Sequence, residues 1–316
     1  MTDLLFINWT IDPRVISSWN TPRWYGIMWA LGFYLGFMIL NRIYKHEKSP
    51  EAWMDKTFIY VLIGGVLGAR IGHCLFYQPG YYLSNPIEIL YIWEGGLASH
   101  GGAIGIIIAA FLLSKNVTKT GVLWVLDRLV VPTALSAFLI RLGNLFNHEI
   151  LGKVTDSSWG FKFLREGSAE INSLVIDATN TNGLTNDNYS DKLNEAYSAV
   201  AADPTKYAEV FAAIPARYPA QLIEAICYLV FFGILMWFYW KTNAGQLKGF
   251  LLGVFFILVF GARFFIEFIK ENQDGIDQNL EGLNMGQYLS IPLVAIGLFF
   301  VFKNIKSFRV GQTTKS

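Results

Sequence analysis

Seven stretches of 17 to 22 residues are uncharged or nearly so: roughly 24–40, 57–78, 97–113, 125–146, 220–240, 249–269 and 286–302. As helices rising ~1.5 Å per residue, each is long enough to cross the ~30 Å hydrocarbon layer of a bilayer. The pattern predicts an all-α integral membrane protein of about seven transmembrane helices. The connections between them sort by charge. Those near 41–56, 114–120 and 241–248, with the C-terminal tail, carry Arg42, Lys45, Lys48, Lys56, Lys115, Lys119, Lys241, Lys248, Lys303, Lys306, Arg309 and Lys315. An excess of Lys and Arg marks the cytoplasmic side. The connection 79–96 has neither residue, and 270–287 sets Lys270 against Glu271, Asp274, Asp277 and Glu281. These two are expected outside, which puts the N-terminus outside and the C-terminus in the cytoplasm.

The one long connection, 147–218, is polar, rich in Asn, Asp, Thr and Ser around 172–191 and more helical in pattern from about 192 to 213. It predicts a small periplasmic head inserted between helices four and five. The chain then reads as 1–146, 147–218 and 219–316 within one membrane domain overall. A solvated spacer and a surface that touches substrate are equally good readings of the insert. The chain shows no internal repeat, which weighs against an inverted-repeat transporter.

Composition strengthens the membrane reading: of 316 residues, 53% are hydrophobic and 16% aromatic, with a mean hydropathy of +0.37. The net charge of +1 offers no bulk excess for nucleic acid, so any charge that matters must be local. Cys74 and Cys227 lie in apolar runs without ligand spacing, which argues against a disulfide framework or a zinc site. The first twenty residues hold Asp3 and Asp12 and no basic segment followed by an apolar one. The first apolar helix is therefore expected to target the chain itself.

Charge inside an apolar span is costly, so each instance is a candidate for function. Here the instances are Arg70, His100, Arg141, Glu224, Arg263 and Glu267. Counting residues from the expected span ends places all six toward the outer leaflet. Simple snorkelling would populate both leaflets, yet the inner halves hold little beyond Asp127 and Arg128. Three arginines against two glutamates leave a net positive site, suited to a lipid phosphate gripped by planar guanidinium groups. His100 opens the third span and is followed by Gly101, Gly102 and Gly105. Gly101 and Gly105 form a GxxxG face for close helix packing. The same glycines would let a bulky headgroup approach, and an imidazole can take or shuttle a proton near neutral pH. A transporter or anion channel would need polar groups along both halves of a pathway. A lipid-binding scaffold would keep the arginines without needing His100.

These motifs resemble a known family. His100-Gly101-Gly102-Ala103-Ile104-Gly105, within the stretch that starts at Trp93-Glu94, is similar to the HGGxxG element of the bacterial phosphatidylglycerol:prolipoprotein diacylglyceryl transferases. Arg141-Leu142-Gly143-Asn144-Leu145-Phe146-Asn147-His148-Glu149, with Gly152, resembles that family's RxGNfxNxE signature. Trp24-Tyr25-Gly26, Gly68-Ala69-Arg70-Ile71-Gly72, Pro219-Ala220-Gln221-Leu222-Ile223-Glu224, Arg263-Phe264-Phe265-Ile266-Glu267 and Met285-Gly286-Gln287 follow in the family's order. Tyr218, Ile223 and Val259 depart from residues frequent in the family. The resemblance implies a bacterial inner-membrane enzyme that moves a diacylglyceryl group from phosphatidylglycerol to the lipobox cysteine of a prolipoprotein, using no cofactor and no metal. It implies His100, Arg141 and Arg263 as catalytic, with His100 either a proton acceptor or a headgroup anchor. Tyr25, Arg70, Asn144, Glu149, Gly152 and Glu267 would position substrate, Glu267 by orienting Arg263 one turn back, and Gly101, Gly102 and Gly105 would be motif glycines. Membrane lipids and the prolipoprotein signal peptide are the expected partners.

The topology is directly testable. A reporter active only outside the cytoplasm should work when fused after Asn182 and fail when fused after Lys315; the reverse pattern would overturn the charge argument.

Overall fold

The computed structural model describes residues 6–16, 19, 21–92, 95–271 and 282–313. Asp3, Trp93, Glu94, Asp274, Asp277, Glu281 and Lys315, which entered the sequence argument, lie outside the described residues. In chain order the helices are α1 (Trp24–His46), α2 (Ala52–Phe76), α3 (Pro79–Ser84), α4 (Ser99–Leu113), α5 (Val122–Phe146), α6 (Ala169–Ala178), α7 (Tyr189–Ala202), α8 (Ala208–Ala213), α9 (Ala220–Lys241), α10 (Phe250–Ile266) and α11 (Met285–Thr313). Three short strands join them: β1 (Ile7–Trp9), β2 (Phe161–Phe163) and β3 (Ala216–Arg217). Six helical segments are long and apolar enough to cross a bilayer, namely α1, α2, α4 with the π-turn that follows it, α5, α9 and Met285–Phe308 of α11. The chain is thus a multi-pass membrane protein. α10 is apolar throughout but shorter, at 17 residues.

The described residues gather into two compact units. The first draws on Met1–Phe33, Ala134–Phe231 and Phe256–Ala295, the second on Tyr34–Thr133, Phe232–Phe255 and Ile296–Ser316.

In the second unit α2 and α4 pack through their smallest residues. Ile59, Ile63, Leu67 and Ile71 are exposed along one face of α2, while Gly64, Gly68 and Gly72 line another. A methyl group added at Gly68 would lie 2.7 Å from the Gly105 Cα, one at Gly72 would lie 2.6 Å from the Gly101 Cα, and one at Gly105 would collide with the Gly64 carbonyl oxygen. Lipid tails are as apolar as leucine, so helices in a bilayer gain from close backbone approach rather than from burying large side chains. The expected GxxxG packing of Gly101 and Gly105 is therefore formed, with Gly64, Gly68 and Gly72 as its partners.

Elsewhere in this unit, the Asp127 carboxylate accepts hydrogen bonds from the backbone N–H groups of Gly249 (2.6 Å) and Leu252 (2.9 Å), capping the start of α10. Arg128 lies over the Trp124 ring and donates to Glu47 at 2.7 and 3.1 Å and to the Gly245 carbonyl oxygen at 2.8 Å. The Asp127–Arg128 pair thus serves helix ends and turns.

In the first unit β1 runs parallel to β2, with Ile7 opposite Phe161 and Trp9 opposite Phe163. β2 pairs antiparallel with β3, and bridges between Val154 and Arg217 and between Gly152 and Lys270 carry the pairing onward. α6, α7 and α8 enclose a core of Leu164, Ile171, Val175, Tyr197, Val200, Val210, Phe211 and Ile214. The segment 172–191, read from composition as loop, begins inside a helix. Ser168 Oγ accepts from the Ile171 N–H at 3.3 Å to start α6, and Ile171 and Val175, four apart, are both buried. Two or three apolar positions suffice for so short a helix, and the Asn, Asp and Ser between them mask the stripe.

The glycines of the α2–α4 contact separate two functions of one motif. Gly105→Ala should lower the stability of the folded protein by about 1–3 kcal/mol through overpacking, seen as a lower thermal midpoint in detergent and lower membrane abundance. Gly102→Ala, whose methyl would meet nothing closer than 3.5 Å, should leave both unchanged.

Candidate functional site

α5 ends in a turn that sets most of the second motif. Arg141 and Asn144 lie three residues apart on its last turns and so share a face. Beyond Phe146, His148 and Ile150 take left-handed backbone angles, with φ of 55° and 60°. Such values are strained for the β-branched Ile150. The chain therefore bends sharply on either side of Glu149, whose carbonyl oxygen accepts from Gln221 Nε2 at 2.8 Å. The Glu149 side chain accepts from Asn144 Nδ2 at 3.0 Å and Asn147 Nδ2 at 3.3 Å.

Arg141 is held on several sides. Its Nε lies 2.5 Å from Glu224 Oε2, its Nη1 donates to Asn144 Oδ1 at 3.2 Å, and Tyr228 and Tyr25 are further electrostatic partners. Glu224 is 1% exposed, so the pair is buried, and each member is the other's compensation. Gly143, between Arg141 and Asn144, has the Tyr25 ring against it: a methyl there would lie 2.8 Å from a ring carbon.

Arg263, on α10, is half-buried, and among the described residues no hydrogen bond or ion pair engages it. The expected pairing with Glu267 is not formed. Glu267 is turned toward Lys270, with Oε2 3.9 Å from Nζ. A methyl on Gly286 would come within 2.7 Å of its carboxyl carbon, so that glycine makes room for the carboxylate. Gln287 then fastens the start of α11, donating to the Phe264 carbonyl oxygen at 3.2 Å and accepting from Asn284 N–H at 3.1 Å.

Lys270 was absent from the sequence reading of the site, where it counted only as a loop charge. It is 6% exposed and interacts with Glu224, Glu267, Arg141 and Arg263. Gly152 explains how it gets there. The segment around Gly152 is stitched to 269–271 by Lys153 N–H to Ile269 O (2.8 Å) and Glu271 N–H to Leu151 O (3.2 Å), and to Tyr218 O by its own N–H (3.0 Å). A side chain at 152 would collide with the Tyr218 carbonyl oxygen and lie 3.0 Å from that of Ile269. The motif glycine thus permits three backbones to meet. Gln221 and Tyr228, also missed, share α9 with Glu224; their spacing of three and four from it was the available signal.

Arg70 and His100 belong to the second unit. Arg70, 3% exposed, donates to the carbonyl oxygens of Glu88 (2.5 Å), Ile89 (2.9 Å) and Gly95 (2.7 Å) and lies over the Tyr82 ring. Its donors hold the loop 85–96, which fits a positioning role for the backbone better than the expected contact with substrate. His100 is exposed at the head of α4, beside the rings of Phe76 and Tyr77 at 5.3 and 5.9 Å. Among the described residues no hydrogen bond engages its imidazole. Gly101 and Gly105 are buried in the α2–α4 contact, and Gly102 is more loosely packed. Among the described residues no group of three or more His, Cys, Asp or Glu side chains is placed to hold a metal ion.

A family model described as prolipoprotein diacylglyceryl transferase matches residues 15–303. The chain is 42% identical over 313 residues to the phosphatidylglycerol–prolipoprotein diacylglyceryl transferase of Porphyromonas gingivalis, covering 97% of this chain and 98% of that one. Proteins of the same name from Chloroherpeton thalassium and Nitrosomonas europaea are 39% identical over 310 residues, covering 98% of each chain, and 34% identical over 301 residues, covering 92% of this chain and 89% of the other.

His148, inside the signature, gives the first unit a pH dependence of its own. Its Nε2–H faces the Ile11 carbonyl oxygen at 2.9 Å, and its Nδ1 accepts from the Arg165 N–H at 3.2 Å. Burial pushes its pKa down to about 4, against ~6.5 for an unfolded histidine. The unfolded chain therefore binds the extra proton first. Stability from this group is full above about pH 6.5 and falls as the pH drops toward 4, by about 3 kcal/mol in all. Thermal unfolding between pH 7 and 4 should show that loss in the wild type, and His148→Gln, which cannot take up the proton, should show a flatter profile.

Proposed function

The chain belongs to the prolipoprotein diacylglyceryl transferase family, and from that premise we propose the reaction in residue terms: the sn-1,2-diacylglyceryl group of phosphatidylglycerol passes to the lipobox cysteine thiol of a prolipoprotein, the first step of lipoprotein maturation. A carbon–sulfur bond forms at the glyceryl carbon as its bond to the phosphate oxygen breaks. The electron pair leaves with glycerol phosphate, and the thiol proton goes to a base.

The observation that carries this reading is the unengaged Arg263 guanidinium beside Lys270, in the same unit as the anchored Arg141–Glu224 pair. Free donors in a half-buried setting suit the negative charge that develops on a departing phosphate. Arg263 is assigned the phosphate oxygens, and Arg141 the fixed positive field behind them, with Asn144, Glu149, Gly152 and Tyr25 holding its geometry. A thiol with a pKa near ~8.5 needs a proton acceptor. His100, exposed and free of hydrogen bonds, is assigned that role or that of headgroup anchor. The scheme calls for no cofactor or metal.

We place the chain in a bacterial inner membrane with seven spans, the seventh being α10, whose ~26 Å length lies at the short end for a crossing helix. The N-terminus is then outside and the C-terminus in the cytoplasm, and the insert 147–218 forms the periplasmic head. The basic cytoplasmic connections support this orientation.

Purified protein given phosphatidylglycerol and a lipobox peptide should form the thioether product; absence of product from folded protein would end the reading. In the same assay Arg141→Lys should lose about 100-fold or more, because an ammonium cannot reproduce a guanidinium held in several directions at once. His100→Gln should lose about 100-fold to 10,000-fold if imidazole moves the proton, and little if it only caps the helix.

A further inference from the structure

Polar groups left without partners crowd around Lys270. Its ammonium lies 3.9 Å from Glu267 Oε2, too far for a hydrogen bond, and among the described residues no hydrogen bond engages it; Arg263 is in the same condition. On the acceptor side, Glu267 Oε2, both oxygens of Glu224 and Gln221 Oε1 are buried with no hydrogen-bond partner. Gln221 lies one turn before Glu224 on α9. Unmet donors and acceptors buried together are costly until a ligand completes them.

That ligand must offer oxygens to Arg263 and Lys270 and hydrogens to the carboxylates and the amide. A phosphate bearing a neutral polyol does both. A phosphate bearing an ammonium could also donate to the carboxylates, but it finds them matched: Glu224 is paired with Arg141 and Glu267 with Lys270. A second ammonium would have to approach Lys270 with no uncompensated negative charge to hold it, and like charges brought together at a buried site discriminate strongly.

We propose that Lys270 sets headgroup selectivity, admitting a neutral polyol phosphate headgroup and repelling headgroups that end in a cation. The proposal rests on the transferase reading above. The Lys270 backbone is fixed by its pairing with the Gly152 segment, so its side chain can be exchanged without removing what places it.

The full-length protein in mixed micelles, with phosphatidylglycerol and a lipobox peptide, is assayed for thioether formation while phosphatidylethanolamine is added; a nonionic surfactant added in equal amount controls for surface dilution. Wild-type protein should be slowed by phosphatidylethanolamine no more than by the surfactant. In Lys270→Met, phosphatidylethanolamine should become a competitive inhibitor, its Ki falling at least about tenfold, whereas Lys270→Arg should keep the wild-type resistance. Should Lys270→Met fold poorly because Glu267 is left unpaired, Lys270→Met combined with Glu267→Gln removes both charges, and its Ki should still lie below the wild-type value. Unchanged resistance in folded Lys270→Met or in the double variant overturns the proposal, as does a loss of turnover unaccompanied by any change in Ki. A wild-type protein that makes no thioether from phosphatidylglycerol would instead overturn the transferase reading.

Discussion

A charge withdrawn from water must find an opposite charge or a full set of hydrogen bonds, and in the first unit that constraint is met by one contact, Arg141 against Glu224 at 2.5 Å. Removing one member of such a pair strands the other, at a cost of roughly 3–5 kcal/mol. The surrounding features follow from keeping the pair in place. Asn144 takes one edge of the guanidinium and hands its own amide hydrogens to Glu149. Glu149 is fixed by the two left-handed residues beside it and by Gln221. Gln221 returns the network to α9 and so to Glu224. The loop from Arg141 to Glu224 closes through four side chains and one strained turn, and a change at any of them is felt at the ion pair.

Saturation of donors divides the other charges in the apolar segments into two kinds. Arg70 has three backbone carbonyls within hydrogen-bond reach and an aromatic ring beneath it. Asp127 accepts two backbone N–H groups, and Arg128 is shared between Glu47 and a carbonyl. These groups have nothing left to offer a ligand. Arg263 and Lys270 do, although their burial is no less costly. A protein in which every other charge in an apolar segment is so fully paired has no structural use for two open cations, and a bound anion is what makes them tolerable. Position along a span could not draw this distinction, since Arg70 and Arg263 sit in similar apolar contexts.

This also marks where sequence reasoning succeeded and where it stopped. The spans were legible because a bilayer imposes a minimum apolar length, and Gly101 and Gly105 because small residues four apart can only be a packing face in lipid. Lys270 was illegible. Nothing near it in the chain reports that Gly152 pairs with it, and among Glu271, Asp274 and Asp277 it reads as one more loop charge. The pairing of Glu267 was misread for a related reason: Arg263, one turn back, is its nearest cation on a helical wheel, but the helix ends at Ile266, and the carboxylate turns to the cation that the backbone pairing delivers. β1 is three residues long, too short for any alternation to show.

Gly152 then carries more weight than its place at the end of a signature suggests. The two carbonyls that a side chain at 152 would strike belong to Tyr218 and Ile269, in segments that lead into α9 and out of α10. The glycine therefore ties the start of the helix bearing Glu224 to the end of the helix bearing Arg263 and Glu267. Because that tie is made by backbone groups, it is indifferent to what side chain stands at 270. The position of the third cation is thus set by one residue type and its chemistry by another, an arrangement that lets headgroup preference change by substitution at 270 while the Arg141–Glu224 pair stays undisturbed.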